Sequence, residues 1–267
     1  MAPLTQSSRP LSRRTRGAVQ APSCRTGSYK LLQRLWCTRE RRGTHVTDSL
    51  GQGDAAVRLV RDERGLALVG DGMELRGDFS RMLPRLRQGR LQQELLVKAA
   101  RIKGVEAPTA VDCTAGLGED SLLLAAAGFT VTLFERDQTI AALLADALIR
   151  AAADPRLAEV VGRMTLVTGD SVAGLAALPE PPDVVYLDPM FPARTKSAAV
   201  KKKFQLLHRL ERPCEEEEAL VAAALAAHPR KVVIKRPAKG GLLAGMKPSY
   251  SVGGKAVRYD VLVPPRP

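Results

Sequence analysis

Apolar and polar positions follow two alternating periods from residue 110 onward. Short continuous apolar runs predict strands at 110–113, 130–134, 164–168, 183–187 and 231–235. Helical spacing of the apolar residues between these runs predicts helices at 120–127, 138–152 and 219–227. Alternating strands and helices are typical of a mainly parallel, doubly wound α/β sheet, and an apolar run at 257–263 predicts the strand that closes it.

A smaller group of extended segments precedes this region. Apolar runs predict strands at 57–60, 66–69 and 73–75, and Gly70-Asp71-Gly72 supplies residues that favour a tight hairpin turn. A predicted helix at 91–103 follows an arginine-rich stretch that contains Arg81, Arg85, Arg87 and Arg90. We therefore expect a small N-terminal β region with a basic linker at 48–90, and a cofactor-binding domain at 91–267.

The first 47 residues show no sustained hydrophobic period. They hold ten of the 41 lysines and arginines against a single acid, Glu40, so they supply much of the net charge of +13. Such a composition does not build a core. It fits an organellar transit peptide, a disordered RNA-binding tail, or sequence translated upstream of a start near Val46, which we favour. We expect residues 1–47 to form a disordered basic extension.

Cysteine, histidine and apolar patterns exclude several classes of protein. The four cysteines form no C-x-x-C pair and the three histidines fall in different segments, so no zinc site, disulfide framework or nucleophile–histidine triad is indicated. No apolar run approaches the roughly 20 residues of a membrane span. We expect a cytoplasmic protein with no metal and no membrane partner, and a monomer, because no long apolar stripe demands a second copy.

A strand runs into a glycine-containing turn at 111–118. Gly116 and Gly118 allow the backbone to approach a ligand, and the following helix offers free N–H groups. Gly-x-Gly also opens dinucleotide sites, but Glu119 and Asp120 place carboxylates where a pyrophosphate would lie. The pattern therefore disfavours a nicotinamide oxidoreductase and favours a cationic or zwitterionic ligand.

Further acidic residues follow the next strands. Glu135 lies 19 residues after Gly116, where a carboxylate can accept both hydroxyls of a ribose. Asp170-Ser171 can read an adenine edge, and Asp188 follows the fourth strand. Because open α/β sheets bind ligands at the carboxyl ends of their strands, these residues predict an adenosine-bearing sulfonium cofactor. The alternative is that Glu119, Asp120 and Asp170 only cap helices.

An acidic, proline-stiffened, aromatic corner, Asp188-Pro189-Met190-Phe191, ends a buried strand. The Asp188 carboxylate and the Pro189 carbonyl can accept hydrogen bonds from an exocyclic amine, while Phe191 can stack on a nucleobase. We predict these three residues to be catalytic. The pattern serves any planar exocyclic amine, so guanine, adenine and cytosine all remain candidates.

The segment that follows this corner, 189–210, is basic and contains no acid. Its position beside the predicted base pocket indicates a phosphate clamp for RNA, with a solvated helix face as the alternative. Two more basic residues end the strand at 231–235 on the same sheet edge. The predicted RNA-binding residues are Arg194, Lys196, Lys201, Lys202, Lys203, Lys235 and Arg236. A ribosome-assembly factor without catalysis is a further alternative.

Five segments together carry a family resemblance. They are 112–118, Glu135-Arg136, 186–192, 196–202 and 233–237. The first three resemble class I S-adenosylmethionine-dependent methyltransferases, and the last two narrow the resemblance, over about residues 66–263, to the bacterial small-subunit ribosomal RNA methyltransferase J family. This resemblance implies a Rossmann-like fold with an antiparallel last strand, and S-adenosylmethionine as the cofactor.

The resemblance also implies an activity and a set of contacts. The activity is methyl transfer to the N2 amine of a guanosine in 16S ribosomal RNA, so 16S rRNA or the small ribosomal subunit is the expected partner. The implied cofactor contacts are Glu119-Asp120, Glu135-Arg136, Asp170-Ser171 and Asp188. An arginine is common in the family where Glu119 stands, and a serine where Asp170 stands. The first 47 residues have no counterpart there.

Overall fold

Two β-sheets organise the part of the protein that the computed structural model describes, namely Ser49–Leu50, residues 57–189 and residues 217–265. These residues belong to one compact unit, His45–Pro267. The expectations for residues 1–47 lie outside the described residues, as do those for Phe191, Arg194, Lys196, Lys201, Lys202 and Lys203. The boundary expected at residue 90 stays a prediction.

The strands are numbered in chain order. The small sheet contains β1 Ser49–Leu50, β2 Val57–Asp62, β3 Gly65–Gly70 and β4 Met73–Leu75, paired antiparallel in that order. The large sheet contains β5 Thr109–Asp112, β6 Thr130–Glu135, β7 Met164–Thr168, β8 Val184–Leu187, β9 Lys231–Pro237, β10 Tyr250–Gly253 and β11 Val257–Leu262.

The described α-helices are short, with one exception of 15 residues. They are α1 Leu83–Leu86, α2 Leu95–Ala100, α3 Glu119–Ala126, α4 Gln138–Ala152, α5 Ala158–Val161, α6 Ser171–Ala176 and α7 Glu217–Ala226. Short 3-10 turns occupy Phe79–Met82, Leu91–Gln93 and Leu243–Gly245.

The large sheet has the strand order β10-β11-β9-β8-β5-β6-β7. Strands β9, β8, β5, β6 and β7 are parallel, whereas β11 pairs antiparallel with both β9 and β10. The chain leaves β5 toward β6 on one side and returns through β8 on the other, so the strand order reverses between β5 and β8. A ligand cleft is expected outside the carboxyl ends of the strands at such a reversal. The predicted doubly wound fold with an antiparallel last strand is confirmed.

Strand β8 lies in the middle of this sheet and is buried on both faces. Val184 and Tyr186 pack into one apolar cluster with the leucines of α3, while Val185 and Leu187 pack into a second cluster that includes Leu220 of α7. A strand covered on both faces reads as a continuous apolar run, which is why the sequence predicted it.

The small sheet packs on α4 and joins it through a buried carboxylate. Leu66 and Leu68 lie against Leu143 in an apolar cluster. The Asp146 carboxylate accepts hydrogen bonds from the Leu66 N–H at 3.0 Å, and from Arg61 and Arg150 at 2.8 Å. Sheet and helix are therefore joined by both apolar packing and charge.

The predicted helix at 91–103 is wrong as a continuous element. The chain forms a 3-10 turn at Leu91–Gln93, becomes extended at Glu94 with ψ of 128°, and resumes as α2 at Leu95–Ala100. The Glu94 carboxylate is held by a two-point contact with the Arg85 guanidinium, at 2.7 and 2.8 Å. Leu91, Leu96 and Ala99 are nevertheless buried, so the apolar face was predicted correctly. Strand β10 was not predicted, because its sequence lacks an apolar run.

Replacing Asp146 with asparagine should lower the free energy of unfolding by about 1 to 3 kcal/mol, because the amide keeps the shape but removes the charge that two guanidinium groups contact. Urea unfolding followed by circular dichroism measures the change. Glu159→Gln is the matched control: the Glu159 side chain is 85% exposed, and its pair with Arg163 should contribute no more than about 0.5 kcal/mol.

The effect should also depend on pH. Burial alone would raise the pKa of Asp146, but hydrogen bonds from Arg150 and Leu66 and the charge of Arg61 hold the pKa below its usual value. Stabilisation by the ionised carboxylate is therefore complete above the pKa of an unfolded aspartate and is lost as pH falls through the folded pKa. The difference in the free energy of unfolding between wild type and Asp146→Asn should therefore become smaller in acid. If wild type and Asp146→Asn lost the same free energy of unfolding on acidification, Asp146 would not be the stabilising carboxylate.

Candidate active site

The carboxyl ends of the central strands gather acidic residues at one edge of the large sheet. Strand β5 ends at Asp112, β6 ends at Glu135, and Asp188 directly follows β8. Ile234 of β9 pairs with Leu187 of β8, so the next residue along β9 lies level with Asp188. These strand ends flank the point where the strand order reverses.

A buried carboxylate, Asp112, stabilises the glycine turn between β5 and α3 through hydrogen bonds. Asp112 is 1% exposed and accepts hydrogen bonds from the Thr114 N–H at 3.0 Å and from the Ser121 hydroxyl. Burial raises the pKa of Asp112 to about 7. Gly116 and Gly118 have φ of 53° and 76°, the left-handed region that glycine adopts readily. The turn thus follows from both its glycines and Asp112.

The side chains of Phe79 and Leu144 pack closely against Gly118. A Cβ atom at this position would stand 2.7 Å from Leu144 Cδ1 and 3.2 Å from Phe79 Cζ. Phe79 follows the small sheet in the chain and Leu144 belongs to α4. The closeness of these side chains, together with the positive φ, explains why residue 118 must be glycine. The N-terminal region therefore helps to shape the turn.

Glu135 connects the end of β6 to the same turn. Its Oε2 accepts a hydrogen bond from the Gly116 N–H and its Oε1 accepts one from the Asp137 N–H, both at 2.9 Å. The side chain is buried, and burial raises its pKa. Each carboxylate oxygen has a further acceptor site, so Glu135 can still bind a pair of ribose hydroxyls. The structure thus brings Glu135 to the glycine turn, and its predicted contact with a ribose stays a prediction.

A lysine bridges two carboxylates at the centre of this edge. Lys235 Nζ lies 2.8 Å from Asp120 Oδ2 and 2.8 Å from Asp188 Oδ2. The Tyr186 hydroxyl donates a hydrogen bond to the same Asp120 oxygen at 2.6 Å. Side-chain exposure is 26% for Lys235, 19% for Asp120 and 35% for Asp188. The cluster is therefore partly shielded from solvent but still open on one side.

Burial and charge oppose each other in this cluster. Burial disfavours the ammonium form of Lys235, but Asp120 and Asp188 outweigh it and raise the pKa of Lys235 above its usual value. Burial raises the pKa of Asp188, and the positive charge of Lys235 limits that rise. The lysine remains protonated, so two carboxylates share one positive charge and the cluster carries net negative charge.

The two basic residues near the end of β9 both contact other groups of the protein. Lys235, predicted to bind RNA, contacts Asp120 and Asp188, and the buried Arg236 donates from Nε to the Gly241 carbonyl at 2.8 Å. Their contact with RNA stays a prediction. Sequence reasoning placed Lys235 at this sheet edge but did not predict that it bridges Asp120 and Asp188. The available signal was a basic residue directly after the apolar Val232–Ile234 stretch, level with the acidic end of β8.

The remaining predicted residues occupy the rim. Asp170 is exposed and caps α6 by accepting from the Val172 N–H at 3.2 Å, which fits the capping alternative. Ser171 is buried, whereas Glu119 is exposed in the first turn of α3. Arg136 is exposed after β6, and Pro189 is buried directly after Asp188. Their predicted contacts with a cofactor or a base stay predictions.

The set of side chains suits a cationic, adenosine-bearing ligand. Asp120, Glu135 and Asp188 place carboxylates around the turn, and Lys235 offsets only part of their charge. Such a site attracts a sulfonium and an ammonium, and it repels a pyrophosphate. Within residues 57–189 and 217–265, no group of His, Cys, Asp and Glu is arranged to hold a metal ion. No helix in these ranges is long and apolar enough to cross a membrane.

Proteins of known name are similar to this chain over most of its length. A protein from Thioalkalivibrio sulfidiphilus, named ribosomal RNA small subunit methyltransferase J, is 46% identical over 213 residues, which cover 77% of this chain and 84% of that protein. A protein of the same name from Neisseria meningitidis is 40% identical over 206 residues, covering 76% and 82% of the two chains.

A solved structure and a family model agree with these relatives. The crystal structure of a SAM-dependent methyltransferase from Neisseria gonorrhoeae superposes with a TM-score of 0.65 at 33% identity, covering 80% of this chain and 85% of that one. The model of the family described as "Putative SAM-dependent methyltransferase" matches residues 50–264. The chain therefore belongs to this family of SAM-dependent methyltransferases.

Proposed function

We propose that this protein transfers a methyl group from S-adenosylmethionine to the N2 amine of a guanosine in 16S rRNA of the small ribosomal subunit. The observation that carries the proposal is the Asp188 carboxylate, placed at the strand reversal, bridged by Lys235 and followed by the buried Pro189. The names of the relatives support small-subunit rRNA as the substrate. The choice of guanine N2 rests on the resemblance of segment 186–202.

The cofactor would lie along the acidic edge. Glu135 would accept the ribose hydroxyls, and Gly116 and Gly118 would let the backbone approach. Asp120 and Asp188 favour the positive charges of the ligand. When bound, S-adenosylmethionine supplies an electrophilic methyl group. The protein's contribution is to place the nucleophile and to exclude competing geometries.

The guanine amine is a weak nucleophile, because its lone pair is delocalised into the ring. Asp188 and the Pro189 carbonyl can accept the two N–H groups of this amine, which orients its lone pair toward the methyl group. The corner is held in place, since the Asp188 N–H donates to the Thr114 hydroxyl at 2.7 Å. The amine loses a proton after transfer, and Asp188 is the nearest carboxylate to receive it.

Contact with RNA phosphates is assigned to the basic segment that follows the corner. Arg194, Lys196, Lys201, Lys202 and Lys203 carry this part of the proposal on their sequence alone. Lys235 and Arg236 contribute less to it, because each has a partner within the protein. We propose further that the protein acts as a monomer in the cytoplasm, on rRNA or on the small subunit.

The product nucleoside tests the proposed reaction directly. Purified protein should transfer labelled methyl from S-adenosylmethionine to unmodified 16S rRNA or small subunits, and digestion with mass spectrometry should find N2-methylguanosine. Methylated adenosine or cytidine would contradict the base assignment. Cofactor binding without transfer would favour the ribosome-assembly factor instead.

Asp188→Ala should reduce turnover by about a hundredfold or more, because the amine loses its orienting acceptor. RNA affinity should remain nearly unchanged, since the carboxylate does not contact phosphate. Single-turnover kinetics and filter binding measure the two quantities. Asp183→Ala is the matched control: Asp183 precedes the same strand at its opposite end and accepts from the Thr109 N–H at 2.9 Å. Loss of RNA binding in Asp188→Ala would mark Asp188 as architectural.

Changing Lys201, Lys202 and Lys203 together to alanine should weaken RNA binding and reduce the slope of log K against log salt by about 3, because each lost phosphate contact releases roughly one counterion less. The matched control changes three exposed lysines outside the predicted RNA-binding set, Lys98, Lys103 and Lys247, to alanine. The control removes the same charge and should alter the slope much less. An equal slope change in both variants would reject the clamp.

A further inference from the structure

The Lys235 ammonium contacts only one oxygen of each carboxylate that it bridges. Its Nζ donates to Oδ2 of Asp120 and to Oδ2 of Asp188, and the Tyr186 hydroxyl donates to the same Asp120 oxygen. Within the described part of the chain, no hydrogen-bond donor contacts Oδ1 of either aspartate. Each carboxylate therefore presents one oxygen that is free to accept from a ligand.

The fold determines this arrangement through strand register. Tyr186 pairs with Val233, and Lys235 pairs with Tyr259 across β9 and β11. Because side chains alternate along strands, Tyr186, Val233 and Lys235 share the face that packs on α3, where Asp120 lies. The Tyr186 and Tyr259 ring centroids are 6.5 Å apart on that face. The two rings shield the cluster, so the charges interact more strongly than they would in open water.

We propose that Lys235 is a positioning residue for methyl transfer: it bridges Asp120 on the cofactor side to Asp188 on the base side, and directs the Oδ1 atom of Asp188 to the target amine. The inference rests on the proposed function only for the identity of that amine. Lys235 itself touches neither ligand in this assignment, and two of its three N–H donors are used by the two carboxylates.

The bridge matters because two carboxylates would otherwise repel each other. Both contact the same nitrogen atom, so they are close neighbours. Without the ammonium, the pKa of Asp188, which burial already raises, would rise further, and a protonated Asp188 would accept less well. The charged or titratable groups that face Asp188 are Lys235 and Arg236 from β9, Asp120 from α3, Asp112 from β5, Tyr186 from β8 and Tyr259 from β11.

Lys235→Met tests the proposal in turnover. The rate constant for methyl transfer should fall at least tenfold at neutral pH, and the acid limb of its pH profile should move up by about one unit or more. The KM for RNA should change little, which separates this role from the phosphate contact predicted for Lys235. A wild-type profile, or a change confined to the KM for RNA, would overturn the proposal.

Lys231→Met is the matched control for this variant. Lys231 begins the same strand, and its Nζ donates to the Ala99 and Arg101 carbonyls at 3.2 and 2.7 Å, away from the acidic edge. The control removes the same charge from the same strand. It should leave the pH profile in place, and a shift equal to that of Lys235→Met would overturn the proposal.

Lys235→Arg separates charge from shape. It keeps the positive charge, so it should retain the position of the acid limb and recover most of the rate. If Lys235→Met does not fold, Lys235→Gln replaces it in the comparison. A profile shift in Lys235→Arg as large as that in the neutral variant would overturn the proposal.

A measurement without cofactor or RNA distinguishes this inference from the proposed function. Carbon-detected NMR of the free protein follows the titration of the Asp188 carboxyl group. Its pKa should rise by about one unit or more in Lys235→Met, because the positive charge that limits the rise is removed. An unchanged titration would overturn the bridge, whatever nucleoside the wild-type protein methylates.

Discussion

The hydrogen bonds of one buried carboxylate hold the site together. Asp112 accepts from the Thr114 N–H and the Ser121 hydroxyl, so it joins the end of β5 to both the glycine turn and α3. Thr114 in turn accepts from the Asp188 N–H, which fixes the corner after β8. The cofactor side and the base side are thus connected through two residues. A carboxylate this deeply buried is tolerated because its neighbours donate to it, and its raised pKa reflects the remaining penalty.

The small sheet also supports the glycine turn, through α4. Asp146 connects it to α4, and α4 contributes Leu144, which lies with Phe79 beneath Gly118. The support of the glycine turn therefore comes from residues that are distant in sequence. Packing from one side and hydrogen bonds from the other leave the turn little freedom. This explains how a region without an acidic ligand-binding residue can still influence the site.

Much of the fold could be predicted from the sequence, because parallel strands buried on both faces produce unmistakable apolar runs such as Val184–Leu187. The edge residues Glu135 and Asp188 were found because they follow such runs. Strand β10 and the break at Glu94 were missed, since each depends on partners elsewhere, the antiparallel neighbour β11 and the Arg85 side chain. The partners of Lys235 were missed for the same reason. The sequence indicated that the Lys235 charge lies at this edge. Its contacts with Asp188 and Asp120 depend on the register of β8 and β9 and on the position of α3.

The hydrogen bonds of Glu135 have a consequence for ligand recognition. Glu135 accepts from the Gly116 N–H, and the Gly118 N–H donates to the Ala115 carbonyl at 2.8 Å. These hydrogen bonds restrain the backbone of the turn, so a ligand that binds there costs little conformational entropy at these residues. Affinity at the turn then depends on how well a ligand fits a restrained backbone, so the turn discriminates among ligands by their shape.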